Sequence, residues 1–188
     1  MSPVLAGAGL GVATSMLLTL SAPANAGAAT QPQDRVTTRA QPAVHTREQF
    51  EFIADAPIEV VWPLFGAEAE RAWAPDWDPV FVWPAQAADQ QGMVFKVVHG
   101  DRSAIWVNTC LDSLAHRVQY VYVLPDIVAT VVTLRLIPSG HSTHVAVTYE
   151  RTALSESANT LVSNMAMHDR ASGPEWGEQI NNHLRSKQ

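Results

Sequence analysis

The sequence predicts an α+β protein in which a long, curved antiparallel sheet is closed by a single late helix. Residues 91–153 contain five strand-like segments in a row, and the chain that follows has helical spacing almost to its end. Two further strand patterns, at residues 49–54 and 80–83, bring the predicted sheet to seven strands. Because one helix does not fill the concave face of such a sheet, we expect a cavity between the two.

The first part of the fold is predicted to be a strand followed by two short helices. Residues 49–54 alternate apolar and polar side chains, which is typical of a strand with one buried face. An Asp-Ala-Pro segment at residues 55–57 favours a helix start, because Asp is a common cap and Pro fits the first turn. Pro63 and Gly66 keep that helix short, and residues 67–73 form the second one.

Six strands follow, and their alternation predicts which side chains point inward. They are predicted at residues 80–83, 93–99, 103–111, 116–124, 127–137 and 144–152. The side chains opposite the charged residues should face the core. That inward face comprises Phe95, Val97, Tyr120, Tyr122, Val132, Leu134, Val145, Val147 and Tyr149. The strand with Trp106 and Asn108 is apolar on both faces, so its orientation stays open.

The last helix is predicted to begin after a cap at Ser155 or Ser157. Its apolar residues recur at a spacing of 3.6, which is typical of a helix packed on a core. The predicted inward stripe is Leu154, Ala158, Leu161, Met165, His168 and Ser172, and Trp176, Ile180 and Leu184 continue it. The Gly173-Pro174 pair should kink this helix or break it in two.

Two stretches of the chain resemble the START/Bet v1-like superfamily, also called SRPBCC or polyketide cyclase/dehydrase-like. They are residues 50–62, a strand that leads through Ala-Pro into a helix ending in Val-Val-Trp, and the Trp/Pro/Asp-rich turn at residues 73–79. The resemblance spans about residues 45 to 185. It implies a helix-grip fold, in which a curved seven-stranded antiparallel sheet wraps around a long C-terminal helix and two short helices follow strand 1. It also implies a hydrophobic pocket, in which members bind lipids, sterols, plant hormones or polyketides, and some catalyse cyclisation, dehydration or hydrolysis.

Residues 1–44 are predicted to lie outside the folded domain. Residues 1–26 resemble a signal peptide, with an apolar stretch at 12–20 and an Ala-Asn-Ala cleavage site, although no Lys or Arg precedes the apolar stretch. The alternative is a mis-assigned start codon or a disordered tail. Residues 27–44 are predicted to be a flexible leader, and residues 45–188 the single domain. We therefore expect a periplasmic or secreted protein.

Composition excludes several classes of partner and site. The net charge is −6 and there is no basic block, which argues against nucleic acid and, after signal cleavage, against membranes as partners. One cysteine, Cys110, rules out an intramolecular disulfide, and its strand position indicates a core residue. His141 and His144 would point to opposite faces of a strand, so we expect no metal and no other cofactor. The oligomeric state stays open.

Few polar side chains are candidates for chemistry. His168, on the predicted inward stripe, is the candidate catalytic residue, because a histidine facing an apolar cavity is suited to acid/base work near neutral pH. The alternative is a hydrogen-bonded core histidine beside a solvent-facing Asp169–Arg170 pair. Asp76 and Asp78 are either an acid/base pair or caps of the turn before Pro79.

The favoured function is an exported protein that binds a small apolar ligand. Aromatic side chains with polar tips suit a ligand with one or two oxygens. The expected ligand-binding residues are Phe95, Val97, Trp106, Asn108, Tyr120, Tyr122, Val132, Leu134, Tyr149, Leu161, Met165 and His168.

Two alternative functions remain compatible with the sequence. One is a polyketide cyclase/dehydratase-like enzyme acting on an aromatic or polyketide-type substrate, with His168 as acid/base and Tyr120 or Asp76 assisting. The other is an interaction module whose partner docks on a tryptophan-rich edge formed by Trp62, Trp73, Trp77 and Trp83.

Overall fold

One antiparallel sheet organises the molecule, and all seven predicted strands take part in it. The computed structural model describes residues 41–100 and 102–187, so the predicted signal peptide and most of the predicted leader lie outside the described residues. The strands are β1 (His45–Ala54), β2 (Val80–Trp83), β3 (Val94–His99), β4 (Arg102–Asp112), β5 (Arg117–Leu124), β6 (Val128–Ser139) and β7 (Ser142–Ala153). Their order across the sheet is β1-β7-β6-β5-β4-β3-β2.

The helical elements cover one face of this sheet. They are a one-turn helix α1 (Ile58–Val61), two 3-10 turns (Trp62–Leu64 and Ala69–Ala72), a third 3-10 turn (Glu156–Ala158), and the helices α2 (Asn159–Ala171) and α3 (Gly173–Ser186). We call residues 57–79, which hold α1 and the first two 3-10 turns, the cap segment. The predicted helix-grip architecture is therefore confirmed. Within the described residues, no helix is both long and apolar enough to span a membrane.

The alternation of the strands placed the inner face correctly. All nine side chains predicted to point inward are buried. The open question about β4 is resolved by its pairing, since Trp106 lies opposite Tyr122 and Asn108 lies opposite Tyr120. Both β4 residues therefore point inward with their β5 partners, and the register shifts only beyond Asn108.

The predicted stripe of the closing helix was partly wrong. The buried positions include Ala158, Val162, Met165, Asp169, Ser172 and Trp176, which also recur every three or four residues, whereas Leu154 is exposed and lies before the first helical turn. Leu161 is only half-buried and His168 is exposed to solvent. Leu161 and His168 each precede the residue that is buried, Val162 and Asp169, so the predicted stripe was displaced by one residue at these two positions.

The closing helix is broken at Gly173 and Pro174, as predicted. Helix α2 ends at Ala171 and α3 begins at Gly173, with Pro174 in its first turn, where a missing N–H costs nothing. A Cβ on Gly173 would lie 2.7 Å from the backbone oxygen of Glu51 in β1. The glycine therefore lets α3 approach the sheet edge closely.

Candidate functional site

Aromatic rings fill the middle of the inner face, where the sequence predicts a cavity. Trp106 stacks on Tyr122 with ring centroids 4.1 Å apart and on Phe95 at 5.7 Å. Tyr120 and Trp77 meet Trp106 edge-on, at 6.1 and 5.5 Å. We call these five side chains the aromatic cluster. Four of them come from β3, β4 and β5, whereas Trp77 comes from the cap segment.

Two pockets lie at opposite ends of the closing helices, away from the aromatic cluster. One, of about 380 Å³, lies between the start of the cap segment and the end of α3 and includes Pro57, Val60 and Leu184. The other, of about 350 Å³, lies beside the start of α2 and includes Ile127, Ala158 and Leu161. Among the predicted ligand-binding residues, only Leu161 lines either pocket.

Three side chains of the aromatic region carry buried polar atoms without a hydrogen-bond partner among the described residues. They are the indole nitrogen of Trp106, both amide atoms of Asn108 and the hydroxyl of Tyr120. Burial raises the pKa of the Tyr120 phenol, whereas Asn108 beside it acts to lower that pKa, although no hydrogen bond within normal limits joins the two side chains. Leaving one such group unpaired costs about 1–3 kcal/mol, so three on adjacent positions are unusual in a stable core.

A buried carboxyl group lies close to this set. Glu70, on the 3-10 turn Ala69–Ala72, is only 3 % exposed. Burial, and secondarily the negative charge of Asp89, raise the pKa of Glu70 well above its usual 4.5. Burial also raises the pKa of Tyr120 above 10, with contributions from the charges of Glu70 and Asp89.

Asp89 is held in place by the cap segment. Its two carboxylate oxygens accept hydrogen bonds from the backbone N–H groups of Glu68 (2.9 Å) and Ala69 (3.1 Å). A Cβ on Gly66 would lie 2.3 Å from the Asp89 carboxyl carbon, so only glycine leaves room for this contact. Asp89 therefore anchors the turn that carries Glu70.

A second buried polar group is fully paired and connects the sheet to the closing helix. Arg151 of β7 donates from Nε and Nη2 to the Asp169 carboxylate, at 2.6 and 2.8 Å. Its Nη1 donates to the hydroxyls of Tyr122 and Thr130, and its guanidinium lies 4.4 Å from the Tyr149 ring centroid. Burial alone would lower the pKa of Arg151. The contributions of Tyr122 and Asp169 outweigh this effect, so the pKa lies above its usual value. This bidentate pair has the geometry of a structural clamp.

The predicted site residues divide into two groups. Most are buried on the inner face: Phe95, Val97, Trp106, Asn108, Tyr120, Tyr122, Val132, Leu134, Tyr149 and Met165. Their role in binding a ligand stays a prediction. His168 points to solvent, so the prediction that it faces the interior as an acid/base is wrong. The predicted Asp169–Arg170 surface pair is also wrong, since Arg170 instead pairs with Glu48 at 2.7 Å.

The other candidates lie outside the interior. Asp76 and Asp78 are both exposed, Asp76 has the left-handed φ of 58°, and Asp78 pairs with Arg71. Neither side chain faces the core, so an acid/base pair in the interior is not supported, and a role as caps of the turn stays a prediction. The tryptophan-rich edge is not one surface, because Trp73 and Trp77 are buried while Trp83 is 52 % exposed.

Among the described residues, no group of three or more His, Cys, Asp or Glu side chains is arranged so that it could bind a metal ion. His144 lies against Glu51, with 3.1 Å between Nε2 and Oε2.

The burial of Glu70 and Arg151 was not predicted from the sequence, although the position of each residue indicated it. Glu70 lies three residues after Ala67 and three before Trp73, both buried, so helical phase places it inward. Arg151 lies on the same strand face as Tyr149, two positions away. In both cases the expectation that charged side chains face solvent outweighed the position.

The sequence matches no model of a known protein family and no curated protein. Solved structures do match in fold. Norcoclaurine synthase from Thalictrum flavum, in complex with dopamine and hydroxybenzaldehyde, aligns with a TM-score of 0.59 at 11 % identity, over 87 % of this chain and 99 % of that one. An uncharacterised protein from Rhizobium leguminosarum aligns at 0.56 with 19 % identity, over 77 % and 97 %.

A third structure, the Zhui aromatase/cyclase from a Streptomyces species, aligns with a TM-score of 0.55 at 12 % identity, over 77 % of this chain and 97 % of that one. At such identities the likeness concerns the fold. This chain has the helix-grip fold of the START/Bet v1-like (SRPBCC) proteins.

Proposed function

We propose that the protein binds a small, largely apolar aromatic molecule against the aromatic cluster, between the sheet and the helices that cover it. The observation that carries this proposal is the set of unpaired buried polar atoms on Trp106, Asn108 and Tyr120. A ligand with one or two hydrogen-bonding atoms would pair them and remove the penalty of leaving them unsatisfied.

The ligand reaches these atoms by displacing part of the cap segment. Trp77 is the one cluster member from that segment, and its ring lies edge-on to Phe95 and Trp106 at 5.9 and 5.5 Å. A single hydrogen bond of 2.8 Å joins its indole N–H to the carbonyl of Ala67, which is also in the cap segment. An aromatic ligand that takes the place of Trp77 would pack its own ring against Trp106, which offsets the cost of moving the indole away.

The solved structures support a ligand of this kind by analogy. The Thalictrum enzyme is described in complex with two small aromatic molecules, and the Streptomyces protein is described as an aromatase/cyclase. The same fold thus holds aromatic compounds elsewhere. A cyclase-like enzyme that uses His168 is not retained, because that side chain is exposed.

Tryptophan fluorescence tests the binding proposal. We expect purified protein to bind the neutral dye N-phenyl-1-naphthylamine, with quenching of tryptophan emission by energy transfer. The variant Trp106→Phe should lose part of that quenching, since Trp106 lies at the centre of the cluster. Trp83→Phe, at an exposed indole outside the cluster, is the matched control and should retain it. A protein that binds no dye and carries no small molecule in its organic extract would refute the proposal.

We also propose that the protein works outside the cytoplasm, on the basis of the signal-peptide pattern of residues 1–26. Expression in a bacterium with an intact export pathway should yield mature protein in the periplasm or medium. N-terminal sequencing should then begin near Gly27. A product that keeps Met1 and stays with the cytoplasmic fraction would contradict this.

A further inference from the structure

Asn108 is a fully buried residue of β4 whose side-chain amide has no hydrogen-bond partner among the described residues, on either its nitrogen or its oxygen. The strand fixes its backbone, because its N–H donates to the carbonyl of Met93 (3.0 Å) and its carbonyl accepts from the N–H of Gly92 (2.9 Å). The fold therefore does not use the amide. An apolar side chain of similar size would fill the same place without leaving two polar atoms unpaired.

Asn108 lies next to the other two side chains with unpaired atoms. It stands directly opposite Tyr120 of β5, and it is two residues from Trp106 on the same face of β4. Side chains directly opposite in antiparallel strands have Cβ atoms about 4.5–5.5 Å apart. The rings of Trp106 and Tyr120 are themselves in contact, with centroids 6.1 Å apart. We call the unpaired atoms of these three residues the polar patch.

The polar patch borders the place of Trp77, the ring that the ligand is proposed to displace. Phe95 and Trp106 stack at 5.7 Å, and both Trp77 and Tyr120 meet this stacked pair edge-on. Trp77 thus contacts the indole whose N–H belongs to the patch. A ligand ring in its place would lie against the same indole, so a polar group on that ring is directed to the patch by its position.

The polar patch contains an acceptor as well as donors. The Trp106 indole N–H can only donate, the Tyr120 hydroxyl can donate or accept, and the Asn108 amide offers a donor and an acceptor. A ketone or ether oxygen would pair with the donors but would leave the amide oxygen alone. A hydroxyl group both accepts a hydrogen bond and donates one to the amide oxygen. Because both amide atoms are unpaired, the match is the same for either orientation of the amide.

No buried cation is available to pair with an anionic ligand. Arg151 is the one buried cation among the described residues. Its guanidinium is taken up by the Asp169 carboxylate and by the hydroxyls of Tyr122 and Thr130. A carboxylate at the polar patch would therefore be buried without a compensating charge, which is costly. The matching group is an uncharged hydroxyl.

We propose that Asn108 is a specificity-determining residue: its amide oxygen accepts a hydrogen bond from the hydroxyl group of a neutral, phenol-type ligand, whose oxygen accepts in turn from the N–H of Trp106 or the hydroxyl of Tyr120. This inference rests on the proposed binding site and names the ligand class that the site selects. No covalent step is involved.

Three naphthalenes separate the roles of ring, acceptor and donor. 2-Naphthol donates and accepts, 2-methoxynaphthalene only accepts, and 2-ethylnaphthalene, close to the ether in size, does neither. Displacement of N-phenyl-1-naphthylamine at pH 7, where the naphthol is uncharged, gives their affinities. We expect 2-naphthol to bind about tenfold more tightly than the ether, which corresponds to about 1.4 kcal/mol. Burial of apolar surface alone would favour the ether, because it is the larger and less polar molecule.

The variant Asn108→Val tests whether Asn108 causes this preference. Valine is close to asparagine in size, suits a strand and has no hydrogen-bonding atom. We expect this variant to bind the naphthol and the ether with affinities within about twofold of each other. Thr109→Val is the matched control, one residue along β4 on the exposed outer face, and it should retain the tenfold preference.

The stability of the unligated protein gives a second readout. Because Asn108→Val removes two unpaired buried atoms, it should unfold at a higher urea concentration than the wild type. A gain in stability together with a loss of selectivity is the pattern of a residue that serves binding. A variant that unfolds at a lower urea concentration would show that the amide already has a partner, such as an ordered water, and the proposal would be wrong.

The outcomes distinguish the inference from the function on which it rests. If none of the three naphthalenes displaces the dye, the binding site itself is wrong. If they bind but the ether equals or exceeds the naphthol in affinity for the wild type, the site stands and the role of Asn108 is wrong. An undiminished naphthol preference in Asn108→Val would also overturn it. The wild-type comparison decides the matter even if the variant does not fold.

Discussion

At the scale of single residues, the contact between Arg151 and Asp169 holds the closing helix on the sheet. Both side chains are almost completely buried, and the guanidinium uses its Nε and Nη2 atoms for the carboxylate alone. Removing one member would leave an uncompensated charge in the core, which costs more than the pair itself contributes. The pair therefore fixes which face of α2 turns inward.

Breaking this pair from either side should destabilise the protein strongly. We expect Arg151→Met and Asp169→Leu each to lower the free energy of unfolding by about 3–5 kcal/mol. The double variant should lose clearly less than the sum of the two, because neither charge is left alone. Urea denaturation measures all three.

Arg170→Met is the matched control for this experiment. Its guanidinium forms a similar two-bond contact with Glu48, but it is 68 % exposed. We expect a much smaller loss there, since water replaces the partner. Equal losses for Arg151→Met and Arg170→Met would show that the buried pair is not the clamp that we describe.

At the scale of elements, the packing of α3 on β1 depends on two glycines. Gly173 faces the Glu51 backbone oxygen, and Gly177 faces the Cβ of Phe52, where an added Cβ would lie 3.3 Å away. The first neighbour is backbone of a paired strand and cannot yield easily. The second contact is looser, at 3.3 Å against 2.7 Å, so a shift of a few tenths of an ångström between α3 and β1 relieves it.

Substitution by alanine should therefore change the stability of the protein differently at the two positions. A Gly-to-Ala change inside a helix is favourable by about 1 kcal/mol from propensity alone. We expect Gly173→Ala to be destabilising despite this, by about 1–3 kcal/mol, because α3 must move away from β1. Gly177→Ala should be close to neutral. Thermal unfolding of both variants measures the difference, and a Gly173→Ala protein more stable than wild type would contradict the packing argument.

At the scale of the whole molecule, the buried carboxyl group of Glu70 makes the stability of the fold depend on pH. Burial and Asp89 raise the pKa of Glu70 in the folded state above its usual 4.5, so the folded protein holds this proton more tightly than the unfolded chain does. The stabilisation is fully present below the unfolded pKa. It is lost as pH rises through the folded pKa, because the folded state must then carry a buried charge or expose it.

Comparison with Glu70→Gln isolates this contribution. We expect the free energy of unfolding of the wild type, relative to that of Glu70→Gln, to fall between pH 5 and 9 by about 1.4 kcal/mol for each unit by which the pKa is raised. Urea denaturation at a series of pH values measures it. A constant difference between the two proteins across this range would show that Glu70 does not titrate from a buried position.

Much of the sheet could be predicted because its signals are local. The alternation of apolar and polar side chains along β5, β6 and β7 fixes which face is buried, and Gly-Pro at 173–174 ends one helix and begins another without reference to any distant residue. The order of these elements predicted a curved sheet closed by a late helix, and the resemblance of residues 50–62 and 73–79 to START/Bet v1-like proteins implied the helix-grip fold. The same reasoning did not orient β4, whose two faces are equally apolar.

The tertiary structure alone decided which polar side chains lie inside. Asp169 replaced His168 on the inner face because Arg151, eighteen residues earlier in the chain, meets it there, and a pattern that scores each residue separately cannot include that partner. Glu70 is buried because the cap segment folds over the inner face and shields its side chain from water. Local periodicity determined the strands, the helices and the buried face of the sheet. The polar contacts of the interior depend instead on long-range pairs, which form only once the sheet and helices have packed.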